Sequence, residues 1–209
     1  MNSIRIADDY FHTPKKRVDW RESYYFNFVD LEDGISGFTT IGILSNQNKG
    51  EFIMVLFYAD KQKVYFAEEQ FALKDGSTNF LSNQHLSYEL VEPLKKWKIR
   101  LFHENLNLEL LWQARFPACD FGKGSGTSWE GHFEQSGHVK GELSLPEGRK
   151  IEIKGYSQRD KSWGPRDWHI DAWYALQAQF DSFAIGIRRD IVKGAPHVSG
   201  GLFSAKAKK

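Results

Sequence analysis

Apolar and polar positions alternate with a period of two along most of this chain, the pattern of strands that bury one face. Tyr24, Phe26 and Phe28 alternate with Tyr25, Asn27 and Val29, and the turn Asp30-Leu31-Glu32-Asp33-Gly34 leads into Ile35, Gly37, Thr39, Ile41 and Ile43. A continuous apolar run from Phe52 to Ala59 predicts a strand buried on both faces. Val64–Ala67 and His85–Val91 add further strands, and Trp97–Leu101 with Leu106, Leu108, Leu110 and Trp112 predicts a hairpin across His103-Glu104-Asn105. The longest alternation runs from Trp129 to Leu145, with Gly131, Phe133, Gln135, Gly137, Val139, Gly141 and Leu143 on the apolar face. At about 3.3 Å per residue it exceeds a usual strand, so a bend or turn is expected near Ser136-Gly137. Its glycines predict close sheet contact or a bulge. After Ile151–Lys154, residues Tyr174, Leu176, Ala178 and Phe180 oppose Phe183, Ile185 and Ile187 across Asp181-Ser182.

No helical period persists beyond two turns, and about a dozen strands at regular spacing predict an all-β fold, an antiparallel barrel or strongly bent sandwich. The expected organisation is an irregular arm over residues 1–20, a single β domain over 21–191, and a frayed Gly/Lys-rich tail over 192–209.

Composition adds little electrostatics. The 28 basic and 27 acidic residues leave a formal charge of +1, so no nucleic-acid footprint is expected. No run approaches the ~20 apolar residues that span a bilayer, and no signal-like core follows Met1, which points to a cytoplasmic protein. Cys119 is the sole cysteine, so no internal disulfide forms. Aromatic residues reach 15%, with 16 Phe, 8 Tyr and 7 Trp, which suits a β structure around a broad apolar interior.

One stretch stands apart from the alternation. Gly155–Tyr174 packs Trp163, Trp168 and Trp173 among Arg159, Asp160, Arg166, Asp167 and Asp171. Gly164-Pro165 is expected to end the strand in a tight turn. A planar guanidinium stacks on tryptophan while it forks onto a carboxylate, so Arg166 reads as a clamp between Trp163, Trp168 and nearby acids. The cluster is either a structural plug or the floor of a ligand pocket.

Other constellations are weaker. Gly122–Thr127 lacks the spacing and the following helix of a phosphate loop. His132-Phe133-Glu134 has the H-x-E spacing of zinc deaminases without their cysteines, and neither this pair nor His169 with Asp171 has an evident third ligand; no metal or cofactor is expected. Lys95, Lys96, Lys98 and Arg100 alternate along a strand as they would on any solvated face.

Glu134-Gln135-Ser136-Gly137, followed by Gly155-Tyr156-Ser157-Gln158-Arg159-Asp160-Lys161-Ser162-Trp163-Gly164-Pro165-Arg166-Asp167-Trp168, resembles the signature of the lipocalin-like (calycin-type) group that includes AttH-like proteins and the hydroxyneurosporene synthase (carotenoid hydratase) family. Tyr24–Asp30 and Glu92–Trp97 resemble further segments, so the likeness covers roughly residues 20–190. It implies a lipocalin-like barrel that binds an apolar isoprenoid, polyene or polyketide-type molecule and hydrates or cyclises it. Under that implication Asp160, Asp167 and Glu134 are the candidate acids, and Trp129, Tyr156, Trp163, Arg166, Trp168 and Trp173 the candidate ligand-binding residues. Members usually continue into a second lipocalin-like domain, so a homodimer that completes a second barrel is an expected partner. Phe133 stands where the signature often has Tyr. The competing expectation is a carrier with no chemistry. Within an extended segment Asp160 shares a face with Gln158 and Ser162, and meets either Arg166 or a wall of tryptophans. The abundance of arginine favours the structural partner.

Overall fold

In the computed structural model, residues 4–71, 79–122, 129–166 and 169–205 are described. Their strands are β1 (Trp20–Asp30), β2 (Ile35–Leu44), β3 (Lys49–Tyr58), β4 (Lys61–Gln70), β5 (Phe80–Ser82), β6 (Leu86–Glu92), β7 (Lys96–His103), β8 (Leu106–Ala114), β9 (Cys119–Asp120), β10 (Gly131–Ser144), β11 (Lys150–Pro165), β12 (Ala172–Gln179), β13 (Phe183–Val192) and β14 (Ala195–Ser204). The first eleven form one antiparallel sheet in the order β4-β3-β2-β1-β11-β10-β8-β7-β6-β5, with β9 beside β10. The last three form a separate sheet in the order β12-β13-β14.

The large sheet curls because one face of nearly every strand is apolar and must be covered, and the sheet covers it with itself. Tyr24, Phe26 and Phe28 of β1 point inward with Trp97 of β7, Tyr88 of β6 and Trp112 of β8. Phe26 meets Tyr88 edge-on at 5.3 Å. Thr39 of β2 and Tyr88 share a hydrogen bond of 2.6 Å across the interior. The two sheet edges approach through side chains, where Asn83 donates to the Tyr65 hydroxyl at 2.6 Å. The result is a half-barrel whose interior is filled by rings.

Several expectations meet their structural reason here. The Trp97–Leu101 and Leu106–Trp112 hairpin has the anticipated register, with Trp97 opposite Trp112. β10 runs through Ser136-Gly137 without a turn; instead it changes partner there, pairing with β9 at Phe133-Glu134 and with β8 from Gly137 onward. The absence of a side chain at Gly137 is required, since a Cβ there would lie 2.4 Å from the Trp112 ring. β11 likewise continues through Gly164-Pro165, with Pro165 opposite Trp20. β3 is covered on both faces only in part: Phe57 is exposed. The tail is not frayed over 195–204, because Ala195–Ser204 pairs along the whole of β13.

The N-terminal arm is also less irregular than its composition suggests. Ile6–Asp9 forms a 3-10 turn that inserts Asp8 and Asp9 into one end of the half-barrel. There Arg159 donates to Asp9 Oδ1 at 2.6 Å and to Gln135 Oε1 at 2.7 and 3.0 Å. Its guanidinium lies over the Trp112 and Phe133 rings at 4.9 and 5.0 Å. Lys161, equally buried, bonds Glu22, which also meets His12 Nδ1 at 2.9 Å. Buried charges must be paired in this way, since a lone ion under rings loses its hydration for nothing.

Candidate functional site

The pleat decides which residues reach the outer face of the large sheet. Arg159, Lys161 and Trp163 sit opposite Phe26, Tyr24 and Glu22 and therefore point into the half-barrel. Gln158, Asp160 and Ser162 point outward, and β10 places Ser136, Glu134 and His132 beside them in register. A polar stripe thus crosses the middle of the sheet on its outer side.

The small sheet lies over this stripe. Gln177 accepts from Asn27 at 2.6 Å, and Gln179 accepts from Ser136 Oγ at 2.7 Å while donating to the Ser157 carbonyl at 2.6 Å. Arg115 braces the β12–β13 turn by donating to the carbonyls of Phe180 and Asp181 at 2.6 and 2.9 Å. Beside these polar pegs Phe116, Phe121, Ala184 and Phe203 form a second apolar cluster. Between the sheets remains a cavity of about 860 Å³, bordered by Tyr25, Phe38, Tyr156, Trp173, Arg188 and the carboxyls of Glu134 and Asp160. A shallower hollow of about 680 Å³ lies on the other side of Tyr156, next to Arg115 and His138, and holds no carboxyl pair.

Glu134 and Asp160 are cross-strand neighbours on one face. Burial pushes the Glu134 carboxyl up to about 7, and the adjacent Asp160 charge adds to that, while Gln158, donating to Oε2 at 2.9 Å, works against it. Asp160 is raised to about 6 by burial, with Arg188, Arg166 and Arg159 opposing. The side chain of Asp160 keeps 30% exposure, and among the described residues it accepts no direct hydrogen bond. His132 Nε2 lies 3.8 Å from Glu134 and 4.0 Å from Asp160. Burial, with Arg188 and Arg166 nearby, depresses that imidazole to about 3, so it is neutral. Two carboxyls raised toward neutrality to different extents, facing one cavity, can divide acid and base roles between them.

Of the residues expected from sequence, Glu134, Asp160, Tyr156 and Trp173 border the cavity together. Trp129 is buried beside them, meeting the His132 ring edge-on at 4.8 Å. Asp167 and Trp168 lie outside the described residues, as does most of the Gly122–Thr127 stretch. Trp163 is placed elsewhere: it faces the half-barrel interior and stacks on His12 at 3.9 Å. Arg166 is buried but forms no ion pair among the described residues, and instead donates to Ser162 Oγ at 3.1 Å and the Gly164 carbonyl at 3.2 Å. Asp160 occupies neither of its expected positions, since it neither pairs with Arg166 nor faces the filled lumen. The sequence reading missed Tyr25, Arg188 and the roles of Asn27 and Gln177. Arg188 had one available signal, a charge in register with Ala184 and Gly186 on the small-residue face of β13. Among the described residues no three metal-ligating side chains converge, and no helix is long and apolar enough to cross a membrane.

The strongly curled antiparallel half-barrel is a lipocalin-like fold, here with a second sheet packed against its outer face. The chain belongs to the family described as Domain of unknown function (DUF7064), which matches residues 5–204. Among solved structures it is similar to an AttH-like protein (NE1406) of Nitrosomonas europaea, with a TM-score of 0.73 and 13% identity over 98% of this chain and 71% of that one. It is also similar to kievitone hydratase of Nectria haematococca, with a TM-score of 0.66 and 14% identity over 96% of this chain and 65% of that one. At such identities the likeness is one of fold. No curated protein matches the chain.

Proposed function

We propose that the cleft between the two sheets binds an apolar small molecule of isoprenoid, polyene or polyketide type, and that Glu134 and Asp160 hydrate or cyclise it by acid–base catalysis. The observation that carries this reading is the carboxyl pair itself, two acids held side by side at one cavity and both raised above the usual carboxylate range by burial. In this reading protonated Glu134 is the acid, ionised Asp160 is the base, and Tyr25, Tyr156 and Trp173 supply the walls. The fold shared with a hydratase gives support by analogy. The competing reading, a carrier without chemistry, leaves the pair unexplained, because carboxyls held without a partner cation cost stability.

The test is incubation of the purified protein with conjugated apolar compounds, followed by mass spectrometry for products heavier by one water or isomeric with the substrate. Turnover is expected to be bell-shaped in pH. It falls below about 6 as Asp160 gains its proton and above about 7 as Glu134 loses its own. Ligand binding without product across that range would establish the carrier.

The same reading includes a second copy of the chain. Tyr174, Leu176, Ile187, Val198 and Leu202 are exposed on the outward face of the small sheet. Among the described residues β12 and β14 are the two edge strands of the small sheet, an arrangement that attracts pairing. Light scattering is expected to give twice the chain mass, and Leu176→Asp should return the protein to a monomer. A monomeric wild type would remove the dimer.

A further inference from the structure

Arg188 is the part of the cleft that the carboxyl pair does not account for. Its Nε donates to Asp190 Oδ1 at 2.8 Å, and its guanidinium lies over the Trp129 and Trp173 rings at 4.7 and 5.4 Å. These contacts fix the plane of the group. They leave its Nη hydrogens without an acceptor among the described residues. The side chain borders the cavity with Glu134 and Asp160 and is only 15% exposed, yet it forms an ion pair with neither. A pocket for a pure hydrocarbon gains nothing from an unsatisfied guanidinium fork in its wall, because its donors lose water and find no acceptor.

The charge also bears on the reaction. Hydration of an isolated alkene passes through a carbocation, which a neighbouring guanidinium repels. Addition of water to a double bond conjugated with a carbonyl instead gathers negative charge on oxygen, which a fixed guanidinium stabilises. Resting on the acid–base reading above, we propose that the ligand is a conjugated carbonyl compound, an α,β-unsaturated ketone or ester, and that Arg188 holds its carbonyl oxygen through the Nη fork. Water then attacks the β-carbon while its proton passes to the Asp160 carboxylate. The carbon–carbon π pair shifts to lie between the α-carbon and the carbonyl carbon, and the carbonyl π pair moves onto oxygen, giving an enolate held by Arg188. Collapse of the enolate takes the Glu134 proton at the α-carbon, and the proton on Asp160 passes to the Glu134 carboxylate. The sum is substrate plus one water, with no oxidant or reductant.

The test compares trans-chalcone, an enone, with trans-stilbene, its carbonyl-free counterpart of similar shape, by quenching of tryptophan emission in the intact protein. Trp129 and Trp173 flank the guanidinium and would report either compound. Wild type is expected to bind chalcone about 10-fold or more tightly than stilbene, the scale of one charge-assisted hydrogen bond. Arg188→Gln, with folding checked by circular dichroism, should erase that preference, so that the two compounds bind within about twofold of each other. Equal wild-type affinity for the two compounds overturns the carbonyl assignment while the apolar cleft stands, and this outcome needs no variant. A preference that survives in Arg188→Gln overturns the role of Arg188. Binding of neither compound overturns the cleft and the assignment together.

Discussion

Asp160→Asn is expected to lower turnover by about 10²–10⁴-fold with the fold intact, the scale on which a positioned base contributes. The substitution keeps the shape of the side chain and removes only its capacity to take a proton. Stability should be unchanged or improved above pH 6. The folded protein raises this carboxyl to about 6, so it favours the protonated form, and the contribution of the group to stability is lost as pH rises through that value. Asparagine never carries the charge and avoids that loss. The variant should also shift the alkaline limb of any residual activity to lower pH, because the Asp160 charge helps to raise Glu134. A structural role predicts the reverse: a lower melting temperature, with residual activity tracking the folded fraction. Thermal unfolding at pH 8 together with the pH–rate profile separates the two, and a destabilised variant with an unshifted limb would return Asp160 to the scaffold.

Asp9→Ala is expected to destabilise the protein by about 3–5 kcal/mol, measured by urea unfolding. Asp9 is fully buried, anchors Arg159 at 2.6 Å and accepts the Leu94 amide at 2.6 Å. Its removal leaves the guanidinium under tryptophan with Gln135 alone. The double variant Asp9→Leu with Arg159→Met should recover much of that loss, since a buried pair exchanged for apolar groups of similar size is often neutral. A single variant within 1 kcal/mol of wild type would show that the arm does not close the barrel end.

These two residues mark the division between what the chain states locally and what it leaves to assembly. Asp9 sits in a polar N-terminal stretch that reads as solvated, and its partner lies 150 positions away. No local pattern encodes that meeting. Asp160 was legible as sharing one face with Gln158 and Ser162, because period-two alternation groups residues by face whatever the fold. Its cross-strand neighbour at the cavity, Glu134, became adjacent only through the β10–β11 register.

By itself the sequence determined the all-β class, most of the strands and their hairpins. Each of these rests on spacing within a few residues, which sterics and the pleat convert directly into geometry. Only the tertiary structure decided which face is inside. On β12–β14 the apolar residues Tyr174, Leu176 and Ile187 point outward, and the polar and small residues Gln177, Gly186 and Arg188 face the protein, the inverse of the usual arrangement. Alternation defines two faces and cannot label them; the label comes from what packs against each. The rings that suggested a ligand lumen pack against one another and fill it. The open cavity therefore formed on the opposite side of the sheet, where polar pegs hold the second sheet away from the first.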